Sequence, residues 1–521
     1  MITKRLSIFL LIIFVFMFIS SCNSGVKESN LSEGTESVEV DQGENEEGMA
    51  QESVVETYPP EEVVETQQTE SAAQSAETAG STSESQTDYV EGRIRALSQN
   101  TGLLSESMDY VAERVPCVFD FIKNYDVCCL QEVFDYQDRL LDSWHKEINT
   151  SGKNNSLPKW HQDIYNSWPE WGLSYDALWY PLNSSFIKDV GENKNEIVMG
   201  VGLVDERPND ITSRIVFGPH YVLGPKSGAL SRNGGLLILS KFPIILTSAF
   251  VFEKGAGFDA LASKGVLYAR IQTGPSEDDY VHVFNTHLQA HNSQEDKEAR
   301  KSQVKELFQF VENCITYDIN NPFSAEYDGK PVMIMGDFNI IADTPVNWGE
   351  KALINSPPQG ETIDMSIEIK SDEYRMLIEN VESTNNNLGI NLIDLWNQAY
   401  PEHPGFTWIG KGWQTSEINP YGEPGNTLAT ESDTPQRIDY IFFYDGGLNS
   451  SYYLSVVPGE RKYYYFGESN LQAGSCQTLT KDDWLRALTN KLSGTKGDYD
   501  YDRFSCTISD HLGLSLTYPW Q

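Results

Sequence analysis

The sequence predicts an α/β fold in which two β-sheets pack face to face between outer layers of helices. From Arg93 onward, short apolar stretches with strand character alternate with longer stretches of helical periodicity. Hydrophobic residues make up 39% of the chain, which is enough for a sizeable core. Helices that fall between strands at intervals are typical of layered α/β architectures, so we expect a four-layer α/β/β/α sandwich.

The predicted strands and helices follow one another along residues 91–521. The first strand spans Arg93–Asn100, and a helix over Asp109–Asn124 leads to the apolar strand Asp126–Val133. The segment Glu295–Ile315 predicts a long amphipathic helix, because its apolar residues recur at helical spacing. Further strands are predicted at Gly235–Ile245, Gly265–Gln272, Tyr280–Gln289, Val332–Ile340, Arg437–Tyr444 and Leu512–Tyr518.

Residues 1–22 have the pattern of an export signal. Lys4 and Arg5 precede an apolar run over Leu6–Ile19, and small residues then lead to Cys22. The cysteine at this place resembles a bacterial lipobox, which implies cleavage before Cys22 and lipidation of that residue. We therefore expect an exported cell-envelope lipoprotein or cell-surface protein, either retained or shed. An ordinary signal peptide and an uncleaved anchor helix are the alternatives.

Residues 23–90 are predicted to form a disordered acidic tether. They carry 17 acidic residues and one basic residue, Lys27, and almost no aromatic residues. Such a segment cannot bury enough apolar surface to offset the entropy lost on ordering. Residues 91–521 hold 59 acidic and 35 basic residues, so the part predicted to fold is also acidic. This balance argues against nucleic acid as a partner, because phosphate binding relies on basic surfaces.

Five short polar motifs end or follow predicted strands. They are Ser98-Gln99-Asn100, Leu130-Gln131-Glu132-Val133, Asn285-Thr286-His287-Leu288, Gly336-Asp337-Phe338-Asn339 and Ser509-Asp510-His511. Asn100, Glu132 and Asp337 supply oxygen ligands, which suit Mg²⁺ better than zinc, with Mn²⁺ or Co²⁺ as alternatives. A divalent cation at such a site polarises a phosphoryl oxygen and stabilises a departing alkoxide. The motifs therefore predict a metal-assisted phosphoester hydrolase.

Two histidines and a late aspartate complete the predicted site. His287 and His511 can transfer protons or stabilise charge near neutral pH. Asp439 lies in a predicted strand, from which it can orient His511 and fix the tautomer of its ring.

The order of these motifs resembles that of the endonuclease/exonuclease/phosphatase superfamily, whose members share a DNase I-like fold. The resemblance implies that Glu132 is the main metal ligand and that Asn100 and Asp337 contribute to the metal and water network. It also implies roles for the remaining site residues. His511 would be the general base, Asp439 and Asp510 would support it, and His287 and Asn339 would stabilise charge in the transition state.

A closer resemblance is to the bacterial sphingomyelinase C family. It is carried by Asn233–Ile244, Leu261–Tyr268 and Val281–Ala290, and it covers residues 91–140 and about 215–521. Residues 142–215 and 345–435 depart from the family pattern as insertions, and 445–508 forms a third. The resemblance implies hydrolysis of sphingomyelin to ceramide and phosphocholine by a monomer that acts on sphingomyelin-containing membranes.

Aromatic residues in the third insertion suggest a membrane contact. They are Tyr452, Tyr453, Tyr463, Tyr464, Tyr465 and Phe466. The two groups flank Pro458-Gly459-Glu460, which predicts a hairpin beside the active site. Aromatic rings favour the membrane interface, whereas the alternative is a structural hairpin rich in tyrosine.

Two other functional classes are compatible with the sequence. The same fold would serve a nuclease or a phosphoinositide-type phosphatase, but the acidic composition and the export signal disfavour both. A non-enzymatic adhesin or lytic protein would use the aromatic segment, but the intact set of catalytic residues argues against it. For the cysteines, we expect a Cys476–Cys506 disulfide in an oxidising compartment and buried thiols at Cys128 and Cys129.

Overall fold

The fold is taken from a computed structural model. It describes residues 93–153, 180–181, 197–199, 214–218, 220–226, 232–276, 278–317, 326–345, 367–400, 407–408, 428, 436–448, 452–457, 463–468, 470, 475–500, 503–505 and 508–519. The predicted signal (1–22) and acidic tether (23–90) lie outside these residues. Among the helices of the described ranges, none has the length and apolar character needed to cross a membrane.

Two helices pack on the outer face of each of the two large sheets. The helices are α1 (Val111–Ile122), α2 (Gln137–Lys153), a 3₁₀ helix (Gly257–Leu261), α3 (Gln294–Ile315), α4 (Asp372–Leu388), α5 (Leu395–Ala399) and α6 (Lys481–Ser493). Of these, α1 and α2 pack on one large sheet, and α3 and α4 pack on the other. The start of α3 is fixed by a capping box, in which Ser293 and Asp296 bond reciprocally to each other's backbone N–H.

The strands form two large sheets and two small ones. They are β1 (Arg93–Leu103), β2 (Val127–Val133), β3 (Tyr180–Pro181), β4 (Ile197–Met199), β5 (Arg214–Gly218), β6 (Tyr221–Lys226), β7 (Leu236–Ser240), β8 (Ile244–Val251), β9 (Gly265–Gln272), β10 (Tyr280–His287), β11 (Val332–Asp337), β12 (Asp343–Pro345), β13 (Ile367–Lys370), β14 (Ile393–Asp394), β15 (Asp439–Tyr444), β16 (Tyr453–Val457), β17 (Tyr463–Tyr465), β18 (Gln477–Leu479), β19 (Phe504–Ser505) and β20 (Gly513–Pro519). One large sheet has the order β16-β20-β1-β2-β7-β6-β5-β3, and the other has the order β14-β15-β11-β10-β9-β8-β4.

The two large sheets bury one apolar face against each other and one against helices. Along β1, Ala96 packs into the layer between the sheets, whereas Leu97 packs against α1. On the second sheet, Met333 faces the inner layer and Ile334 faces α3. This alternation is the two-residue period of a strand that is covered on both sides. The predicted four-layer α/β/β/α sandwich is confirmed.

One predicted strand proves to be two. The segment predicted as Gly235–Ile245 contains all of β7 and the start of β8, which belong to different large sheets. Between them the chain turns at Lys241-Phe242-Pro243. Proline has no N–H for a sheet hydrogen bond, so Pro243 interrupts strand pairing although the sequence on both sides of it is apolar. The chain crosses here from the first large sheet to the second.

The disulfide prediction was wrong in its pairing. Cys476 is bonded to Cys117 of α1, across 359 residues of sequence, rather than to Cys506. Sequence proximity suggested the wrong partner, because the segment around Cys476 packs on the outer face of the first large sheet beside α1. Cys128 and Cys129 are buried free thiols, as predicted.

Candidate active site

The predicted site residues meet at one edge of the two large sheets. The carboxyl ends of β1 and β2 lie side by side because these strands are parallel, and Asn100 pairs with Gln131. The carboxyl ends of β10 and β11 lie side by side for the same reason, and His287 pairs with Asp337. Asp439 opens the antiparallel strand β15 opposite Asp337. One edge therefore collects side chains from both sheets.

A pair of carboxylates lies at the centre of this edge. The Asn100 side-chain amide donates to Glu132 Oε1 at 3.1 Å and to Asp337 Oδ2 at 3.0 Å. Burial raises the pKa of Glu132, and the charge of Asp510 adds to this effect. Burial and the neighbouring Asp439 carboxylate raise the pKa of Asp337 to about 7. The two acids therefore share a site that is short of positive charge.

These residues fit a divalent cation. Single ligand atoms of Glu132, His287 and Asp337 lie within 4.8 Å of one another, as do those of Asp337, Asp439 and His511. The carboxylates are hard oxygen donors. Their pKa values are raised because too little positive charge lies nearby to stabilise the ionised forms, and a bound cation would supply that positive charge. Asn100 contacts both carboxylates as a hydrogen-bond donor, so its direct ligation of a metal stays a prediction.

The backbone at the site is held in unusual conformations. Glu132 and Asn339 have φ values of 55° and 52°, in the left-handed region that side chains other than glycine rarely adopt. Such strain is concentrated at functional sites. Gly336, at φ 155°, is required for a second reason, since a Cβ there would lie 2.0 Å from the Thr286 carbonyl oxygen.

His511 and Asp439 form a buried hydrogen-bonded pair. His511 Nδ1 lies 2.9 Å from Asp439 Oδ2, and His511 Nε2 lies 3.9 Å from Asp337 Oδ2. Burial opposes protonation of the ring, but the carboxylates of Asp439, Asp510 and Asp337 together raise the pKa of His511 well above its ordinary value. Nε2 is thus directed toward the carboxylate pair while Asp439 fixes the ring, which is the predicted arrangement.

Residues of the second insertion hold this pair in place. The Thr407 hydroxyl accepts a hydrogen bond from the Asp439 backbone N–H at 3.1 Å, and the Thr407 carbonyl accepts one from Leu512 N–H at 2.6 Å. Trp408 forms an isolated β-bridge with His511. Two residues of the expansion over 345–435 therefore brace the His511–Asp439 pair.

His287 has the opposite protonation preference. Its Nε2 lies 3.6 Å from Asp337 Oδ2 and 3.9 Å from Glu132 Oε1. Burial and the neighbouring Lys264 ammonium lower the pKa of His287 well below its ordinary value. Its buried Nδ1 has no hydrogen-bond partner among the described residues. The site therefore holds one histidine that favours the charged form and one that favours the neutral form.

Lys264 is a functional residue that the sequence analysis missed. Its buried ammonium lies 3.1 Å from His287 Nε2 and donates to the Leu288 carbonyl at 2.7 Å. Asp259 forms an ion pair with it at 2.7 Å. Lys264 lies in the stretch that carries the family resemblance, but the sequence pattern had no signal that it reaches His287.

Arg114 is a second residue that sequence reasoning missed. Its side chain is completely buried and donates to the carbonyl oxygens of Thr101, Gly102 and Ile508. It thereby joins the end of β1 to the loop that carries Asp510. Burial lowers the pKa of Arg114 to about 10, although Asp510 and Glu132 oppose this. As a helix residue among apolar neighbours, it gave no sequence signal of this role.

The remaining predicted residues flank the centre. Asn339 donates from its side chain to the Leu288 carbonyl at 3.2 Å, and its backbone N–H donates to Asp337 Oδ1 at 2.8 Å. Asp510 accepts a hydrogen bond from the Ser509 hydroxyl at 3.0 Å. Asn339 thus fixes Asp337, and Asp510 lies beside His511 in sequence and acts on the site through its charge.

The predicted membrane hairpin is not formed. Strand β16 pairs with β20, whereas β17 pairs with β18 and β19. Tyr464 and Phe466 are buried in the core beneath α1, so they cannot contact a membrane. Tyr463 and Tyr465 are partly buried against Trp484 and Phe504. The aromatic cluster is structural at these four positions.

The other two aromatic residues lie away from the site. Tyr453 is 68% exposed, but it pairs with Thr517, about 20 Å along β20 from His511 by the rise of a strand. Tyr452 is partly buried and packs edge-on against Phe443. Tyr453 therefore lies at the far end of β20 from the active site, whereas the carboxyl end of β16 lies near it, because Val457 pairs with Gly513, two residues after His511. The predicted turn Pro458-Gly459-Glu460 lies outside the described residues.

We expect the contribution of Asp337 to the stability of the cation-free protein to be lost as the pH rises from about 5 to about 8, whereas His287, whose pKa is lowered, contributes in the opposite direction. Asp337 has its ordinary pKa in the unfolded chain and a pKa of about 7 when folded, so the folded state binds the extra proton below that value. The stabilisation is lost as the pH rises through the folded pKa, and the raised pKa of His511 acts in the same direction. The expected loss is on the order of 2 kcal/mol, measured by denaturant unfolding in EDTA.

The variant Asp337→Asn removes the titrating carboxyl and should show a smaller difference between the two pH values. Mg²⁺ should restore stability mainly at the higher pH, because cations bind deprotonated carboxylates. The assignment would be contradicted by an unchanged pH dependence in the variant.

Comparisons with known proteins agree with this geometry. The model of the Endonuclease/Exonuclease/phosphatase family matches residues 112–511. Sphingomyelinase C of Bacillus cereus is 31% identical over 212 residues, which cover 37% of this chain and 59% of that protein. Sphingomyelinase C of Leptospira interrogans is 25% identical over 346 residues, which cover 61% of this chain and 56% of that protein. The chain thus matches less than two thirds of the length of either relative.

Solved structures of similar proteins were also found. The crystal structure of sphingomyelinase C from Streptomyces griseocarneus has a TM-score of 0.39 and 15% sequence identity, over 82% of this chain and 99% of that chain.

Proposed function

The chain belongs to the endonuclease/exonuclease/phosphatase family, and from this premise we propose that it is a Mg²⁺-dependent phosphodiesterase that hydrolyses sphingomyelin to ceramide and phosphocholine. The observation that carries the proposal is the position of His511 Nε2, which faces the carboxylate pair at 3.9 Å from Asp337 while Nδ1 is fixed by Asp439. This places a proton acceptor beside a cation site. The sphingomyelinase C relatives support the choice of substrate.

In the proposed reaction the neutral form of His511 takes a proton at Nε2 from the attacking water, and the water oxygen bonds to phosphorus. A cation held by Asp337 would favour this neutral form, because it would offset one of the carboxylate charges that raise the pKa of His511. The bond from phosphorus to the ceramide oxygen breaks, and that oxygen leaves with the electron pair and takes a proton from solvent water. The His511 ring then releases its proton to solvent and returns to the neutral form. A cation held by Glu132 and Asp337 would supply positive charge for the phosphate and the departing oxygen. Asp439 holds the ring of His511 and stabilises its charged form.

The opposite side of the site stabilises charge. The Lys264 ammonium and the neutral His287 lie together beside Glu132 and Asp337. Negative charge that develops on the phosphoryl oxygens would meet these groups in a buried setting, where electrostatic stabilisation is strong. Asn339 keeps Asp337 in position through its backbone N–H.

The proposal includes a cellular setting. The signal-like residues 1–22 and Cys22 support export and lipid anchoring at the cell envelope, and the acidic composition favours a lipid substrate over nucleic acid. We propose a monomer that acts on sphingomyelin-containing membranes.

The test is phosphocholine release from sphingomyelin vesicles by the full chain, with Mg²⁺ and with EDTA. Phosphatidylcholine vesicles and duplex DNA serve as competing substrates. We expect release that depends on Mg²⁺ and is greatest with sphingomyelin. Cleavage of DNA without phosphocholine release would overturn the assignment in favour of a nuclease, and no cleavage of any substrate would overturn it altogether.

A further inference from the structure

A short apolar turn lies on the surface next to the active site. It is the 3₁₀ helix Gly257–Leu261, in which Phe258 is 69% exposed and Leu261 is 58% exposed. They are among the most exposed large apolar side chains in the described part of the chain. Since they are three residues apart in one helical turn, they lie near each other on the same small projection.

The outer surface of this turn carries no charged side chain. Residues 255–262 read Gly-Ala-Gly-Phe-Asp-Ala-Leu-Ala, so Asp259 is their one ionisable residue. Its carboxylate turns inward, where it pairs with Lys264 at 2.7 Å and accepts a hydrogen bond from Ala290 N–H at 2.7 Å. The turn thus presents mainly apolar and small residues outward, directly after the exposed charged pair Glu253 and Lys254.

The turn is fastened to the strand that carries His287. The Ala256 backbone N–H donates to the Gln289 side chain at 2.8 Å, and that side chain donates back to the Ala256 carbonyl at 3.2 Å. Lys264 connects Asp259 to His287 and to the Leu288 carbonyl. The position of Phe258 and Leu261 is therefore fixed relative to the reacting groups.

We propose that Phe258 and Leu261 insert into the interface of a zwitterionic lipid bilayer and hold the active site against it. The inference rests on the proposed function and deepens it by identifying the lipid-contacting surface. Apolar side chains gain free energy when they enter the boundary between headgroups and acyl chains. The formal net charge of −38 opposes binding to an anionic leaflet, which favours a membrane of neutral headgroups.

A bilayer fits this surface better than a protein partner does. A stable protein interface covers about 800 Å² on each side, whereas one helical turn with two apolar side chains offers only a fraction of that area. Insertion into lipid requires no complementary shape and can begin from two such side chains. Among the aromatic residues predicted for this role, Tyr464 and Phe466 are buried and Tyr453 lies at the far end of β20 from His511, whereas Phe258 and Leu261 are both exposed next to the site.

The first experiment places a reporter on the turn in the full chain. In Phe258→Trp, the added tryptophan should shift to shorter wavelength and be quenched by vesicles of brominated phosphatidylcholine. Leu448→Trp is the matched control, because Leu448 is 52% exposed in the loop after β15, at the far end of the sheet from the site. Equal quenching at both positions, or none at position 258, would overturn the proposal.

The second experiment compares two forms of the substrate. The variant Phe258→Ala/Leu261→Ala should hydrolyse sphingomyelin in vesicles roughly ten-fold more slowly or worse, yet retain wild-type turnover of sphingomyelin dispersed in detergent. An equal loss on both forms would show a structural defect and count against the proposal. If the wild-type chain hydrolyses neither form, the proposed function fails, while the tryptophan quenching still decides whether this turn contacts lipid.

Discussion

Replacing His511 by glutamine is expected to lower kcat for sphingomyelin hydrolysis by about 10³- to 10⁴-fold. Glutamine keeps much of the size of histidine and can still hydrogen-bond to Asp439, but it cannot accept a proton from water near neutral pH. His511 Nε2 faces the carboxylate pair, and Asp439 orients the ring through Nδ1. Among the described side chains at this edge, no other combines a proton acceptor with a carboxylate that orients it. The measurement is steady-state phosphocholine release at saturating substrate.

The structure supplies a matched control in His282. This histidine is also buried and bonded to a carboxylate, with Nε2 at 3.1 Å from both oxygens of Asp328, but it lies at the opposite end of β10 from His287. His282→Gln should leave kcat near the wild-type value once folding is confirmed by circular dichroism. A similar loss in both variants, or turnover retained in His511→Gln, would remove His511 from the role of general base.

Replacing Glu132 by glutamine is expected to lower kcat by about 10²- to 10³-fold and to abolish most of the stabilisation by Mg²⁺. The change keeps the size of the side chain and removes the charge that would hold the cation. Asn100 would then bridge Asp337 and a neutral amide instead of two carboxylates. Turnover and the Mg²⁺-dependent shift in melting temperature are measured on the same preparation.

Glu306 provides the comparison for this variant. It is a partly buried glutamate on α3 whose pKa is raised by burial, and it accepts a hydrogen bond from Glu253 N–H outside the site. Glu306→Gln should keep both the activity and the response to Mg²⁺. If Glu132→Gln responds to Mg²⁺ as the wild-type chain does, the cation binds elsewhere.

The layered fold and the centre of the site could be predicted from the sequence. The fold follows from the periodicity of apolar residues, and the site follows from polar residues at the ends of predicted strands. The strands that carry Asn100, Glu132 and Asp337 are apolar runs with a polar residue at the end, and parallel neighbours bring such ends together. The break at Pro243 was missed because the apolar runs on either side of it are nearly continuous. Periodicity does not show that one run belongs to two sheets.

The contacts that were missed depend on tertiary packing. Lys264 and Arg114 act through backbone carbonyls and through residues distant in sequence, so no spacing rule marks them. The pairing of Cys117 with Cys476 depends on where an insertion folds back onto the first sheet. The aromatic residues of 463–466 have the composition of a membrane-contacting segment. Only the tertiary structure shows that they pack against α1 and against the rings of Trp484 and Phe504, and so belong to the core.

The pairing of β1 with β20 determines when activity can first exist. Asn100 lies in β1, whereas His511 immediately precedes β20, and Gln99 donates to the His511 carbonyl across 412 residues of sequence. At ribosomal rates of roughly 5–20 residues per second, His511 emerges on the order of 20–80 s after Asn100. Until then the edge of β1 that later pairs with β20 is open, and an open strand edge can pair with another chain. A chain synthesised only as far as β19 therefore lacks the residue proposed as the general base, and we expect no activity that depends on His511 before that residue has emerged.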